Sequence, residues 1–430
     1  MFENRDTSKP FFLFNVTMQN HGGYAMSYTN FAQEIYVTNM STVYPKANRY
    51  LSLVKRSDDA FRELTEYFSQ VTEPTMVLNE EVCKSNIARM AAKAKAANVV
   101  FRPHFKTHQS REIGEWFRAS GVDKITVSSL NMAMKFAEWG WNDITVAFPV
   151  NCLEHEKINA LAAKIRLNLL LVHSEGARQL SECLKYPVGV YLGVDTGYHR
   201  DGVDAGNYEK IERIMNIVAP DVNIKFEGFL THAGHTYNAR SKEEILQIHK
   251  DNLRMLKNIK ERYIDRYPQL KISLGDTPSC SLADRFGVAD EIRPGNFVFY
   301  DVTQLKIGSC DWYNIALAVK CPVVDINRHR NEAVIYGGGV HFSKDRIDRP
   351  GNRPLYGMVA ENHNDYWGNI ISGVELVSLS QEHGVMHCTD DFLDRLHVGD
   401  VVTVLPVHSC MTADLMKIYH MNDGKTAAHI

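Results

Sequence analysis

Short β-rich apolar runs alternate with amphipathic stretches of helical period between residues 74 and 300. The pattern predicts strands that are each separated from the next by a helix. The predicted strands are 75–78, 99–102, 124–128, 144–148, 167–172, 188–194, 224–230 and 272–275. Strands that alternate with helices of this length pair in parallel, so the pattern predicts an α/β fold with a parallel sheet.

The number of strand–helix units favours a closed (β/α)8 barrel at 74–300, with an open doubly wound sheet as the alternative. After residue 300 the helices give way to β-rich runs separated by turns, which predicts a smaller, mostly antiparallel β domain at 301–430. Residues 1–73 carry no clean period apart from a helix predicted at 57–70. We expect this N-terminal extension to pack with the β domain.

The composition limits the class of protein but does not indicate a function. A chain of 430 residues suits two domains, and its net charge of −3 does not suggest a nucleic-acid or membrane surface. The N-terminus lacks a basic segment before an apolar one, and no apolar run is long enough to span a bilayer. The eight cysteines are scattered without a CxxC pair. We therefore expect a cytoplasmic protein with reduced thiols.

The stretch FRPHFKTHQS, from Phe101 to Ser110, carries the strongest chemical signal. It follows an apolar run, and Pro103 ends regular strand pairing, so Lys106 is expected just past the carboxyl end of a strand. Most lysines are solvated surface charges. Lys106 instead lies between His104 and His108, in a setting where a lysine can lose its proton. We therefore favour an amine nucleophile that reacts with an aldehyde.

Other candidates follow later predicted strands, and in such barrels the active site lies at the carboxyl ends of the strands. They are Asp195, His199 and Arg200 after the sixth strand, His232, His235 and Tyr237 after the seventh, and Thr277 after the eighth. The glycine turns at 275–279 and 293–296 offer donors with little side-chain bulk, as a phosphate requires. A reactive lysine beside a phosphate cradle points to pyridoxal phosphate.

A second kind of site is indicated near the C-terminus. His408 and Cys410 lie two residues apart at a strand end, so both can face one ion, and imidazole with thiolate suits zinc. Simple packing of a buried His and Cys is the more common cause of this spacing. A rival cluster, His383, His387 and Cys388, is interpreted as structural.

Taken in order, these motifs resemble one known family from about Pro74 to Ala413. They are PHFKTH, VDTGYHRDGV, THAGHTY, GDTPSC, RPGNFVFYD, YGGGVHFSKD, SQEHGV and LPVHSC. Together they resemble the D-serine dehydratase and D-threonine aldolase family, fold-type III pyridoxal phosphate enzymes related to alanine racemase. As an ordered set the motifs are highly specific, although each is weak alone.

The resemblance implies an alanine racemase-like barrel with a β-rich second domain, and a homodimer with active sites near the subunit interface. It implies that Lys106 is catalytic and carries the cofactor. The implied cofactor contacts are Arg200, His232, Tyr237, Thr277, Gly295 and Asn296, the last three around the phosphate. It also implies that His408 and Cys410 are zinc ligands.

The activity implied is elimination of water from a D-3-hydroxy amino acid, which gives a keto acid and ammonia. Cys410 favours the dehydratases, because aldolases of this family tend to carry Asp there. Three alternatives are retro-aldol cleavage to glycine and an aldehyde, amino acid racemisation without a metal, and a non-enzymatic cofactor carrier. The predicted C-terminal β domain disfavours the carrier, since such carriers are typically single-domain barrels.

Overall fold

The computed structural model describes residues 47–52, 54–55, 71–363 and 366–430. The chain divides into two compact units, Met1–Gln70 and Val71–Ile430. In the first unit the described residues are helical. The helix predicted at 57–70, and most of the extension predicted at 1–73, lie outside the described residues.

Strands and helices alternate through the first part of the second unit, as the sequence pattern predicts. They are β1 (Thr75–Leu78), α1 (Glu80–Ala96), β2 (Val100–Phe101), α2 (Arg111–Ala119), β3 (Ile125–Val127), α3 (Leu130–Glu138), β4 (Asp143–Pro149), α4 (His155–Ala162), β5 (Arg166–Leu171), α5 (Ser174–Cys183), β6 (Val188–Asp195), β7 (Val203–Asp204), α6 (Tyr208–Val218), β8 (Ile224–His232), α7 (Lys242–Tyr263), β9 (Lys271–Gly275), α8 (Thr277–Leu282), β10 (Glu291–Ile292) and α9 (Val302–Lys306). Side chains at the residue before each helix often start it, as Asn79 does by accepting from the backbone of Val82.

A parallel sheet runs in the order β2, β10, β9, β8, β6, β5, β4 and β3. Its two ends meet beyond β2, because the backbone N–H of Phe105 donates to the Thr126 carbonyl at 2.8 Å. The Thr126 N–H in turn donates to the Pro103 carbonyl at 2.9 Å. The sheet thus curves round on itself as a barrel, and the predicted α/β fold class is confirmed.

The remaining elements form the β domain. They are β11 (Leu317–Asn327), β12 (Glu332–Tyr336), α10 (Gly339–Phe342), β13 (Gly357–Asn362), β14 (Trp367–Leu379), β15 (His383–His387), α11 (Asp390–Leu393), β16 (Val401–Pro406), α12 (Ser409–Met416), β17 (Ile418–His420) and β18 (Thr426–Ala428). Strands β12, β15, β14, β13, β16 and β11 pair in that order, and β11 pairs back to β12, so they close an antiparallel barrel.

One predicted barrel strand belongs elsewhere. The sequence places 75–78 in the parallel sheet, but β1 pairs antiparallel with β11 and parallel with β17, in the sheet of the β domain. The parallel sheet instead includes β10, which is only two residues long and falls below any periodic signal. Lys106 therefore follows the first barrel strand in the chain rather than the second.

The apolar core is continuous across the barrel, its helices and β1, while a smaller cluster fills the β domain. Inside the barrel, the buried guanidinium of Arg102 pairs with Glu291 and Asp143, each at 2.6 Å. Among the helices of the described residues, none is long and apolar enough to cross a membrane.

Candidate active site

The cavity that holds the candidate residues opens at the carboxyl ends of the barrel strands and is walled on one side by the β domain. Its volume is about 1310 Å³. The candidates that line it are Lys106, Arg200, His232, Tyr237, Gly295, Asn296, His408 and Cys410. Thr277 lies buried at the start of α8, where its backbone N–H donates to the Tyr237 hydroxyl at 3.3 Å.

Lys106 reaches the cavity from a rigid backbone segment. Its neighbours Phe105 and Thr107 are fully buried, and the Phe105 ring packs edge-on against Trp141 at 5.0 Å between centroids. The side-chain amide of Gln109 donates to the Lys106 carbonyl at 3.2 Å. The Lys106 side chain itself is exposed to the cavity. The sequence thus fixes the backbone around Lys106 and leaves its amine accessible.

Two histidines beside Lys106 are held in their neutral form. Burial, together with the charge of Lys106, lowers the pKa of His232 to about 3 and the pKa of His104 well below its usual range. His232 Nδ1 lies 2.7 Å from the Gly275 carbonyl, which can only accept, so Nδ1 carries the proton. His232 Nε2 is then an acceptor, and the surroundings of Lys106 gain no imidazolium charge.

The two glycine turns form a close-packed floor next to Lys106. A Cβ on Gly295 would lie 3.0 Å from the His104 backbone oxygen and 3.1 Å from the Thr107 hydroxyl oxygen, so a side chain has no room there. The Thr277 hydroxyl accepts from the backbone N–H of Phe297 at 3.3 Å, which ties one turn to the other. Backbone and hydroxyl groups without side-chain bulk suit a bound phosphate.

Buried polar atoms near this floor lack partners within the described residues. Ser279 Oγ and Asn296 Oδ1 are buried there without a hydrogen bond. Such atoms are costly to bury unless a ligand or water satisfies them. Together with the tight glycine turns and the accessible lysine, they fit a phosphate-bearing aldehyde cofactor.

His408 and Cys410 face the same cavity from the β domain. His408 Nδ1 lies 2.5 Å from Asp345 Oδ2, so its other ring nitrogen is directed away from the carboxylate. Burial disfavours the charged ring, but the bonds to Asp345 and Cys410 raise the pKa of His408 to about 10. Burial also disfavours the Cys410 thiolate, yet the hydrogen bond from His408 lowers its pKa overall.

This donor set suits a soft divalent ion such as zinc, since a ligating imidazole typically bonds a carboxylate through its other nitrogen. In the part of the chain that the structure describes, no group of three or more His, Cys, Asp or Glu side chains is arranged to hold a metal. An ion at this pair would therefore complete its coordination with water or substrate.

Two family models match successive parts of this chain. Residues 78–302, more than half of the chain, match the alanine racemase N-terminal domain family, and residues 316–422 match the serine dehydratase domain. This chain belongs to the alanine racemase-like family of D-serine dehydratases and D-threonine aldolases. The resemblance found in the sequence is confirmed. Residues 1–78, which include β1, match the sulfatase family.

Two relatives align with this chain over nearly their whole length. The chain is 28% identical to a D-serine dehydratase of Dictyostelium discoideum, over 83% of this chain and 95% of the relative. It is 29% identical to a D-threo-3-hydroxyaspartate dehydratase of Delftia sp., over 80% of this chain and 93% of the relative. The solved structure of that Delftia enzyme superposes with a TM-score of 0.77 at 26% identity, covering 84% of this chain and 98% of its own.

Arg200 lies at the rim of the cavity. Its side chain is 48% exposed and pairs with Asp201 at 2.8 Å. The turn before it is built by Asp195, whose Oδ1 accepts from the backbone N–H groups of Gly197, Tyr198 and His199. Asp195 therefore shapes the turn, and His199, whose side chain is 78% exposed, pairs with it at 2.8 Å.

Sequence reasoning did not single out Arg293 or Asp345, and both line the cavity. Arg293 is fully buried, which lowers its pKa to about 10, and it donates to Ser273 Oγ at 2.6 Å and the Thr231 carbonyl at 2.5 Å. Asp345 is the partner of His408. Both belong to motifs that carried the resemblance, RPGNFVFYD and YGGGVHFSKD, where their charge was a signal that could have been used.

The rival cluster of His383, His387 and Cys388 lies outside this cavity. His383 and His387 are on β15, which pairs with β12 and β14, and Cys388 is fully buried in the core of the β domain. None of these three side chains lines the cavity.

Proposed function

We propose that the protein is a pyridoxal phosphate- and zinc-dependent lyase that eliminates water from D-3-hydroxy amino acids. Its products are a keto acid and ammonia. The observation that carries the proposal is the convergence of Lys106 with the His408–Cys410 pair on one cavity, although they come from different domains. A nucleophilic amine and a two-ligand metal site in one cavity are the parts that this elimination requires.

The relatives support this choice of reaction. Two of them are dehydratases, one named for D-serine and one for D-threo-3-hydroxyaspartate. Solved structures of D-threo-3-hydroxyaspartate dehydratase include a His-to-Ala variant and a Cys-to-Ala variant, the latter in a metal-free form. The two changed positions are two residues apart, as His408 and Cys410 are in this chain.

The residues that would hold the cofactor lie around the glycine turns. Gly295, Asn296 and Thr277 would surround the phosphate, and Tyr237 would support it through its bond to the Thr277 N–H. Lys106 would join the aldehyde carbon through Nζ, with His232 and Arg200 near the ring. When bound, pyridoxal phosphate supplies an electron sink for the α-carbon of the substrate.

Lys106 would also act as the proton-transferring base. Its Nζ would remove the proton from the α-carbon of the bound substrate. The neutral imidazoles of His104 and His232 on either side add no positive charge that would disfavour proton uptake at Nζ. The Lys106 side chain is exposed to the cavity, so its amine is accessible to a substrate.

The second domain would act on the other end of the substrate. Zinc on His408 Nε2 and Cys410 Sγ would supply a Lewis acid for the β-hydroxyl leaving group. Asp345 orients the imidazole, and Thr107 contacts the Cys410 sulfur at 3.4 Å. Loss of water from the substrate, and its later return during hydrolysis, leave a keto acid and ammonia.

Incubation with D-serine, D-threonine and D-3-hydroxyaspartate, with and without zinc, tests the proposal. We expect keto acid and ammonia in equal amounts, only with zinc, and the panel ranks the three substrates. D-threonine separates dehydration from cleavage, since it yields 2-oxobutyrate in one case and glycine in the other. Glycine, or metal-independent racemisation of alanine, would contradict the dehydratase.

We also propose that the enzyme is a cytoplasmic homodimer, as the family resemblance implies. The rim of the cavity offers one supporting feature, because Phe148 lines it while remaining 58% exposed. Sedimentation analysis should give twice the monomer mass of 48.9 kDa. A monomer that retains full activity would contradict the dimer.

A further inference from the structure

We propose that Asp301 is a positioning residue that couples the phosphate cradle to the metal pair. Zinc at His408–Cys410 and pyridoxal phosphate at Gly295–Asn296 would then each strengthen the binding of the other. This inference rests on the proposed function, since it assumes that both ligands bind in the cavity.

Asp301 lies between the proposed phosphate cradle and the His408–Cys410 pair and is only 2% exposed. Its Oδ1 accepts from the backbone N–H of Gln304 at 3.0 Å, which starts α9. Its Oδ2 accepts from Asn296 Nδ2 at 2.7 Å and from the backbone N–H of Ser409 at 3.2 Å. One carboxylate oxygen therefore holds the last turn of the barrel and the start of α12 together.

Asn296 and Ser409 complete the connection. Asn296 Nδ2 also lies 3.1 Å from Ser409 Oγ and 3.4 Å from Cys410 Sγ. The amide orientation is fixed because Asp301 can only accept, so Nδ2 must face it. Asn296 thus contacts the proposed phosphate cradle through its own backbone and the proposed zinc ligand through its side chain.

An ionised carboxylate is required for this arrangement. Donors approach both oxygens of Asp301, and only a carboxylate accepts on both sides without offering a proton. An amide in its place would turn an NH2 group towards Gln304 or towards Asn296 and Ser409. Either choice leaves a buried donor unpaired, so α12 and the cradle lose their common support.

The contacts of Asn296 and Asp301 predict that binding of one ligand favours binding of the other. Phosphate binding would fix the turn at Gly295–Asn296, and that turn holds Cys410 through Asn296 and Asp301. A metal that binds the already positioned Cys410 has less side-chain motion to arrest. Linkage requires the effect to be mutual, so each ligand changes the affinity of the other by the same factor.

The test uses the full-length protein stripped of both ligands. Pyridoxal phosphate is titrated by absorbance with and without zinc, and zinc is titrated against a fluorescent indicator with and without pyridoxal phosphate. We expect each ligand to tighten the other by at least about fivefold in the wild type. In Asp301→Asn this ratio should fall to near one, although both ligands still bind.

Two further variants make the outcome decisive. Ser409→Ala removes a hydroxyl that contacts both Asn296 and Asp301, and should lower the ratio even if Asp301→Asn fails to fold. Thr389→Ala removes a helix-starting side chain at α11, outside the cavity, and should keep the wild-type ratio. A merely structural Asp301 would weaken both ligands but leave the ratio unchanged.

An unchanged ratio in both Asp301→Asn and Ser409→Ala overturns the proposal, because the coupling would then come from direct attraction between zinc and phosphate and not from the contacts of Asp301. A wild-type ratio of one also overturns it. These failures differ from failure of the proposed function, which would appear as no saturable binding of zinc or of pyridoxal phosphate to the wild type.

Discussion

The barrel and the β domain hold their parts of the cavity in different ways. Lys106 projects from backbone whose neighbours Phe105 and Thr107 are fully buried. On the other side, His408 is 40% exposed and its partner Asp345 is 51% exposed, so the imidazole depends on its hydrogen bonds to Asp345 and Cys410. The barrel half is fixed by packing, and the β-domain half by hydrogen bonds.

This difference predicts how each half fails. A side chain changed at the barrel half should alter chemistry while its geometry persists, because the backbone is independently supported. A side chain changed at the β-domain half should alter how tightly an ion is held, because a few hydrogen bonds orient the ligands. Variants on the two sides therefore separate effects on the cofactor from effects on metal binding.

The largest effect is expected from Lys106→Ala. It removes the amine that would carry the cofactor and move the α-proton, so turnover should fall by about 10³-fold or more. The protein should also lose the visible absorbance of lysine-bound cofactor, while its melting temperature stays close to that of the wild type. Lys84→Ala, which changes an exposed lysine outside the cavity, is the matched control. An unchanged visible spectrum would refute the role of Lys106.

Cys410→Ala should give the complementary result. Loss of one of two protein ligands should release zinc and slow elimination by on the order of 10²-fold, since the Lewis acid is lost. The cofactor should stay attached to Lys106, which the absorbance spectrum reports. Chelation of zinc from the wild type should reproduce the variant. Full turnover in metal-free protein would rule out the Lewis-acid role.

The barrel was predictable from sequence because its strand–helix alternation is local and repeated. The errors fall where local pattern carries no information. The run at 75–78 has the composition of a strand, but its choice of sheet is set by pairing with β11, far along the chain. The strand β10 has two residues, too few for a period.

The site was predictable to the extent that it lies at strand ends with reactive side chains. Lys106, His408 and Cys410 are each marked by their neighbours in the sequence. Asp345 lies in a loop without a period, and only the tertiary fold brings it to His408. Asp301 ends a quoted motif, but its contact with Ser409 again depends on how the two domains pack.

Asp345→Asn should sharpen the comparison with a smaller effect. The amide oxygen can still accept from His408 Nδ1, but it lacks the negative charge of the carboxylate, so zinc affinity should fall roughly tenfold. The cofactor spectrum should not change, because Asp345 belongs to the β-domain half. Asp348→Asn is the matched control, since Asp348 is 75% exposed and pairs with Arg346 instead. Equal loss of zinc affinity in both variants would argue for a general charge effect.

The smallest effect concerns His108, which lies in the barrel segment of Lys106. Burial lowers the pKa of His108 to about 3, whereas an unfolded histidine has a pKa of about 6.5. Between these values the unfolded chain binds one more proton, so this residue makes the free energy of unfolding fall as pH decreases. The slope is about 1.4 kcal/mol per pH unit for one proton.

His108→Gln should remove this part of the pH dependence, because glutamine cannot be protonated and can still accept from the Ser110 backbone N–H that His108 Nδ1 now binds at 3.2 Å. Urea unfolding at pH 6, 5 and 4 measures the change in slope. His329→Gln, at an exposed position, should leave the slope as in the wild type. If His108→Gln does not change the slope, other groups set the pH dependence of the free energy of unfolding. The neutral form of His108 would then not be needed for the stability of the Lys106 segment.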